Sequence, residues 1–397
     1  MFAEAGVIGS ITPAQAADIC IALVMGLEAP PDGTRLLQPA SDALISGPLT
    51  AGAVPIDLLG GSVMPVRSSE VHLVARPEGE PEPSDFALVE TTVPDPGPDE
   101  VLVRNDWISV DPYMRGRMND AESYVPPFEL DEAMTGGAVG TVVESNLDGV
   151  PAGTTVRHFL GWREHALLGK GRFEVVDASI APPQAYLGVL GLTGLTAYAG
   201  LKRIAPVGEG EVVFVSGAAG AVGSTAAVLA KCLGASRVIG SAGGPEKTGR
   251  IVEEFEYDAA VDYKKGDVEG QLRAAAPDGI DVYFDNVGGD HLRAALAVLR
   301  TDGRIAMCGA ISQYNATEPV PGPDNLFLAV GKRLTLRGFI AGDHGDLAPE
   351  YTRLAAKLLR EGRLRSEETV VEGIGNAVDA FLGLLRGANT GKMLVRL

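Results

Sequence analysis

At 397 residues, with 46% apolar and 21% charged residues, the chain is long enough for two domains with their own cores. A net charge of −19 and an isoelectric point near 4.7 exclude a polyanionic partner such as nucleic acid, since nothing neutralises phosphate along an extended surface. Three widely separated cysteines (Cys20, Cys232 and Cys308) with no C-x-x-C pair leave neither a disulfide framework nor a structural zinc site, and they fit a reducing, cytoplasmic setting.

Residues 1–68 differ in texture from the remainder. They are acidic, rich in Ala, Gly and Pro, and without strand alternation. One helix is predicted over 14–27, capped at Thr12 with Pro13 in its first turn. The apolar piece 19–27 is short and no base precedes Arg35, so neither a signal peptide nor a membrane span is indicated. This segment reads as a flexible extension or the product of an upstream start, Met64 being a natural beginning; a docking arm is the other reading. From Glu70 short strands follow closely, at 71–74, 86–89, 100–104, 138–143 and 155–159, with Gly and Pro between them. That spacing predicts a small, partly open β-barrel.

Around Leu187 the pattern switches to alternation. Strands are predicted at 212–215, 237–240, 259–261, 280–284, 304–308 and 334–339. Helices fall between them at 246–255, 270–276 and 291–299, and this order means a doubly wound parallel α/β sheet. Helices at 351–360 and 377–386 and a strand at 393–397 close the chain.

Residues 211–234, EVVFVSGAAGAVGSTAAVLAKCLG, hold the chemistry together. A buried strand runs into Gly217, Gly220 and Gly223, then into an Ala-rich helix that Gly234 ends. Strand, glycine turn and helix N-terminus form a pyrophosphate-binding unit. The second strand ends in SAGGPEK, with no acid to hold a ribose 2′-hydroxyl and with Lys247 close behind. Two glycines, a hydroxyl and a cation suit a 2′-phosphate, which selects NADP(H) over NAD(H).

SGAAGAVGS, SAGGPEK, DGIDVYFDNVGG, CGAISQYN and GANTGK occur in order, together with NDWISVDPYMRGRMND and LGLTGLTAY. In these motifs the chain resembles the zinc-free medium-chain dehydrogenase/reductases. More closely it resembles their NADP-dependent alkenal/enone reductases, the prostaglandin/leukotriene and curcumin reductase group. The resemblance covers 69–397. It implies a GroES-like catalytic barrel (69–186 and 354–397) interrupted by a Rossmann domain (187–353), and a homodimer through the edge of the Rossmann sheet. It also implies that Ala221, Val222, Gly223 and Ser224 form the pyrophosphate turn, with Lys247 on the 2′-phosphate and Tyr263 at the adenosine end. Asn286 then contacts the cofactor, as do Cys308, Gly309, Ala310, Ile311 and Ser312 near the nicotinamide, with Phe339 and Ile340. Asn389 reaches back over the cofactor from the C-terminal segment.

Where a barrel zinc site would need a Gly-His-Glu motif, the chain reads Thr135-Gly136-Gly137. The five histidines are scattered, and His158 and His165 read as structural. Metal-free hydride transfer to the β-carbon of an α,β-unsaturated ketone or aldehyde is therefore expected. Tyr314 is either the proton donor to the enolate or an apolar lid. Tyr124 and Met118 are candidate substrate walls. A quinone reductase of the same superfamily and a non-catalytic NADPH-binding protein are the competing readings.

Overall fold

The computed structural model describes residues 66–397. The helix predicted at 14–27, Cys20 and the Met64 start lie outside the described residues. The expected extension overlaps the first strand, because Val66, Arg67 and Ser68 already pair with Val93, Thr92 and Thr91.

The barrel half is built from β1 (Val66–Leu73), β2 (Phe86–Val93), β3 (Glu100–Ser109), the one-turn helix α1 (Tyr113–Arg117), β4 (Glu132–Ala133), β5 (Ala138–Ser145), β6 (Thr155–His158), β7 (His165–Gly169) and β8 (Phe173–Val175). One small sheet has the order β2-β1-β4, and β3 is the hub of the larger sheet, pairing antiparallel with β5 and β7. Neither β7 nor β8 was legible as a strand, being short and half-apolar.

Helix α2 (Leu192–Ala199) leads into the nucleotide half. Strands β9 (Val212–Val215), β10 (Arg237–Ala242), β11 (Ala259–Asp262), β12 (Ile280–Asp285), β13 (Leu299–Met307) and β14 (Thr335–Gly338) alternate with α3 (Gly223–Cys232), α4 (Pro245–Glu254), α5 (Val268–Ala275), α6 (Gly289–Val298) and α7 (Leu328–Lys332). Every pair in this sheet is parallel, and the order is β11-β10-β9-β12-β13-β14. The chain reverses direction across the sheet between β9 and β12, so a crevice opens at their carboxyl ends. Central strands covered on both faces must be apolar throughout. Val213, Phe214 and Val215 accordingly are fully buried, and Phe214 stacks on Tyr283 at 5.1 Å. Leu299, predicted as the end of a helix, is instead the first residue of β13. Its pairing with Ile280 outweighs its helix propensity.

The chain closes with α8 (Ala348–Arg360), β15 (Glu368–Glu372), α9 (Ala377–Leu385) and β16 (Lys392–Arg396). β16 pairs antiparallel with β3, and β15 adds alongside it in parallel. Helix α8 buries Tyr351, Ala355 and Leu358, a helical spacing, within the nucleotide-domain core. The expected boundary at 353/354 therefore cuts through one helix. We place the return to the barrel after Leu364, the last residue of that core cluster. Among the described residues no helix is long and apolar enough to cross a membrane.

A candidate active site in the cleft between barrel and nucleotide sheet

A cavity of about 650 Å³ lies between the barrel and the carboxyl ends of β9 to β13, within the usual size range of small-molecule sites. Its midpoint is the turn after β9. Gly217 takes φ +63°, a left-handed conformation that favours glycine. A side chain on Gly223 would overlap the Gly217 carbonyl and Ala218, so the turn packs directly against the first residue of α3. The start of that helix lines the cavity, a setting for phosphate. Ala221, Val222 and Gly223 line it, and Asn286 flanks it, held by donating its amide to the Ser216 carbonyl at 2.7 Å.

At one end the wall is made by Ser241, Gly243, Lys247, Tyr263 and Lys264. Asp290 lines the same region, whereas Asp262, at the end of β11, is buried behind it. Its Oδ1 accepts N–H groups from Gly244 (2.8 Å) and Lys264 (3.1 Å), stapling the β10 and β11 loops together. Tyr263 stands edge-on to His291, 5.6 Å between ring centres. Lys247 donates to the carbonyls of Gly387 (2.7 Å) and Asn389. Asn389 in turn bonds Gly391 (2.7 Å), whose N–H donates to Ala219 in the glycine turn at 2.8 Å. The C-terminal segment thus closes over the middle of the cleft. A dinucleotide fits this set: a turn of glycines and small residues at a helix start, flanked by an amide and by cations.

The other end is lined by aromatic and apolar groups. Cys308, Gly309, Ile311 and Tyr314 come from the turn after β13, Phe339 and Ile340 from beyond β14, and Tyr113 and Tyr124 from the barrel side. The Tyr314 hydroxyl accepts the Ala310 N–H at 3.4 Å, which leaves its own proton free to donate. Burial first, then Cys308 and Asp285, hold its pKa above the ordinary phenol value despite that hydrogen bond. Tyr124 keeps 48% of its surface exposed, yet desolvation in the cleft, then Tyr314 and Cys308, push its phenol up to about 12. Tyr113 is raised further, by burial and by Asp111. All three phenols are protonated near neutral pH. Burial likewise pushes the Cys308 thiol up to about 12, leaving it a poor nucleophile.

Three expected site residues stand elsewhere. Met118 is fully buried in the barrel core with Met114 and Met134 and lines no wall of the cavity, which corrects its assignment as a substrate contact. Met114 and Met118 are four apart around α1, so they share one inward face while Tyr113 points to the cleft. Ser224 and Ala310 sit one step behind the cavity wall, the Ser224 hydroxyl donating to Ala221 at 3.3 Å. Sequence reasoning missed Tyr113, Asp111, Thr193, Lys264 and Lys392, all of which line the cavity. The available signal was Pro112, which fixes the start of a turn where an apolar strand ends. His158 is structural: its Nε2 meets Asn105 at 2.8 Å and its Nδ1 accepts the Leu160 N–H. Among the described residues no group of three or more His, Cys, Asp or Glu side chains is placed to hold a metal ion.

Residues 69–176 match the family described as the N-terminal domain of oxidoreductase, and 221–359 the zinc-binding dehydrogenase family. The chain is 41% identical over 329 residues to the NADPH-dependent curcumin reductase of Escherichia coli, covering 82% of this chain and 95% of the relative. It is 39% identical over 338 residues to the NADP(+)-dependent 2-alkenal reductase of Nicotiana tabacum, covering 83% and 97%. The chain belongs to the medium-chain dehydrogenase/reductase family. Within that family, the crystal structure of CurA from Vibrio vulnificus in complex with NADPH superposes with a TM-score of 0.79 at 40% identity, covering 83% of this chain and 99% of that one. The Rossmann and GroES-like architecture of the family is the one described above.

Proposed function

We propose that this protein reduces the C=C bond of α,β-unsaturated ketones and aldehydes with NADPH. The observation that carries this reading is the convergence of three protonated phenols, Tyr113, Tyr124 and Tyr314, on the end of the cleft opposite the cationic end. The named functions of the curcumin and 2-alkenal reductases support it.

The glycine turn, Asn286, Tyr263, Lys247 and the C-terminal segment at Asn389 would hold the cofactor. Bound there, NADPH supplies a hydride to the β-carbon of the enone. The electron pair displaced from the C=C bond gathers on the substrate's carbonyl oxygen as an enolate, where a phenolic O–H donor stabilises it. Tyr314, whose proton is not engaged by the protein, donates to that oxygen, and it or a water then protonates the α-carbon. Phe339, Ile340 and Ile311 exclude water from the same end, strengthening each of these electrostatic contacts. A carbonyl-conjugated alkene carries its own electron sink, so this chemistry needs no further Lewis acid.

The outermost strand β14 and the flanking Phe327 (74% exposed) and Val330 (82% exposed) support a homodimer through that sheet edge. A cytoplasmic location is consistent with the reduced Cys232 and Cys308. Following NADPH consumption over enones, alkenals and quinones tests the reading. Turnover of enones and alkenals well above quinones supports it, and quinone turnover alone transfers the assignment to a quinone reductase.

A further inference from the structure

Arg117 closes α1 four residues after Tyr113, so the two side chains share one face of that short helix. Its side chain is buried, with 7% of the residue exposed. Nε donates to the Pro126 carbonyl at 2.9 Å, and Nη1 to the Thr135 hydroxyl at 2.9 Å and the Thr135 carbonyl at 3.3 Å. The guanidinium carbon lies 3.9 Å from the centre of the Phe128 ring and 6.0 Å from that of Phe159, which lines the cleft. None of these partners carries a charge. Among the described residues Arg117 forms no ion pair, and Asp111, just before α1, is committed to Lys392 and Ser109. The ionisable groups that Arg117 does face are phenols: Tyr113, which it hydrogen-bonds, and Tyr124. Burial lowers the pKa of Arg117 while these two phenols raise it, and an arginine keeps its charge in such a setting.

A buried cation without a counter-ion is unfavourable, and cation–π contacts and neutral acceptors offset part of that penalty. The remainder is offset where negative charge develops beside it during a reaction. Enone reduction develops such a charge on the substrate's carbonyl oxygen, in a cleft whose wall includes Tyr113 and Tyr124. An arginine donates and never accepts, so its hydrogen bond falls on the Tyr113 oxygen and leaves the phenolic proton to donate elsewhere. We infer that Arg117 is a positioning residue for the reduction. Acting through Tyr113, it aims a second phenolic O–H, besides that of Tyr314, at the enolate oxygen, and its charge polarises that donor. This rests on the enone-reductase reading above.

The test uses the NADP⁺ complex and 4-nitrophenol, whose ionised form carries an oxyanion like that of the enolate and absorbs at longer wavelength than the neutral phenol. At a pH near the probe's own ionisation, the wild type should hold mostly the phenolate. Arg117→Met should shift the bound probe towards the neutral phenol and weaken phenolate binding at least about tenfold, the scale of one charged hydrogen bond. NADP⁺ affinity should not change. Turnover of an enone should fall by at least about tenfold with little change in KM, the pattern of an interaction made in the transition state. Arg117→Lys should keep the phenolate signal, and Arg117→Gln, which retains a donor for Thr135, replaces Arg117→Met if that variant does not fold. Tyr113→Phe should give the same loss, and adding Arg117→Met to it should take away little more, because the charge acts through the phenol. A wild type that holds the neutral phenol, or a phenolate signal that survives the neutral substitutions at Arg117, overturns the assignment. So does a loss that Arg117→Lys shares in full. A wild type that reduces no enone overturns the reductase reading itself, whereas enone turnover untouched by these substitutions dismisses Arg117 alone.

Discussion

Lys392 and Asp111, 281 residues apart in the chain, form a buried ion pair of 2.8 Å at the floor of the cleft. Lys392 also donates to the Val110 carbonyl at 2.7 Å, and the Ser109 hydroxyl donates to the second carboxylate oxygen of Asp111. The pair ties the last strand to the segment that carries Tyr113. A buried pair of this kind adds little net stability over an apolar pair, but removing one partner strands the other charge. Lys392→Met should therefore lower the unfolding free energy by about 3–5 kcal/mol in chemical denaturation. Adding Asp111→Leu should restore most of that loss, and no restoration would mean that the charges are not the reason.

Tyr314→Phe keeps the ring and removes only the hydroxyl. Turnover of an enone should fall by about 10²-fold or more, the scale of a lost general acid. NADP⁺ affinity, measured by fluorescence titration, should stay within about twofold. Unchanged turnover would reduce Tyr314 to a lid.

His158 is fully buried, and burial followed by the charge of Arg163 lowers its pKa to about 3, from an ordinary value of 6.5. Between those values the unfolded chain binds a proton that the folded chain refuses, so stability rises with pH across that window. It is complete above about 6.5 and lost as pH falls towards 3. His291, also lowered by burial, acts in the same direction. Urea denaturation at pH 7 and pH 5 should show a smaller pH dependence in His158→Gln than in the wild type. An identical dependence would place the titrating groups elsewhere.

Gly194 of α2 has no room for a methyl group, which would overlap both the Tyr351 hydroxyl and the Val189 carbonyl. Those two atoms are themselves hydrogen-bonded, locking α8 onto the segment just before α2. Gly194→Ala should cost roughly 1–3 kcal/mol by overpacking, despite its better helix propensity. A neutral thermal melt would show that α8 can move away.

Placing two charges on this exposed apolar edge, Val330→Asp together with Phe327→Asp, tests the proposed sheet-edge dimer. Sedimentation should give a monomer for the variant and a dimer for the wild type, whereas a dimeric variant would put the interface on another face.

The nucleotide sheet was legible because short apolar strands alternate with helical segments, and Val212–Val215 was bounded to the residue. The barrel was harder to read, since β7 and β8 take their place from pairing with β3 and β6 rather than from their own composition. Motif proximity also could not separate Met118 from Tyr113. They share one short segment, and the face each takes depends on where α1 begins its turn, which Pro112 sets. Lys247 was legible as a cation beside the second strand. Its bonds to Gly387 and Asn389 were not, because they join segments 140 and 142 residues apart.

The central claim is hydride delivery to the β-carbon, and NADPH carrying deuterium at the transferred position reports it directly. With an α,β-unsaturated ketone as acceptor, the account predicts the saturated ketone with deuterium on the β-carbon, read by NMR of the product. Deuterium on the carbonyl carbon of an allylic alcohol, or no turnover of any enone, would contradict it.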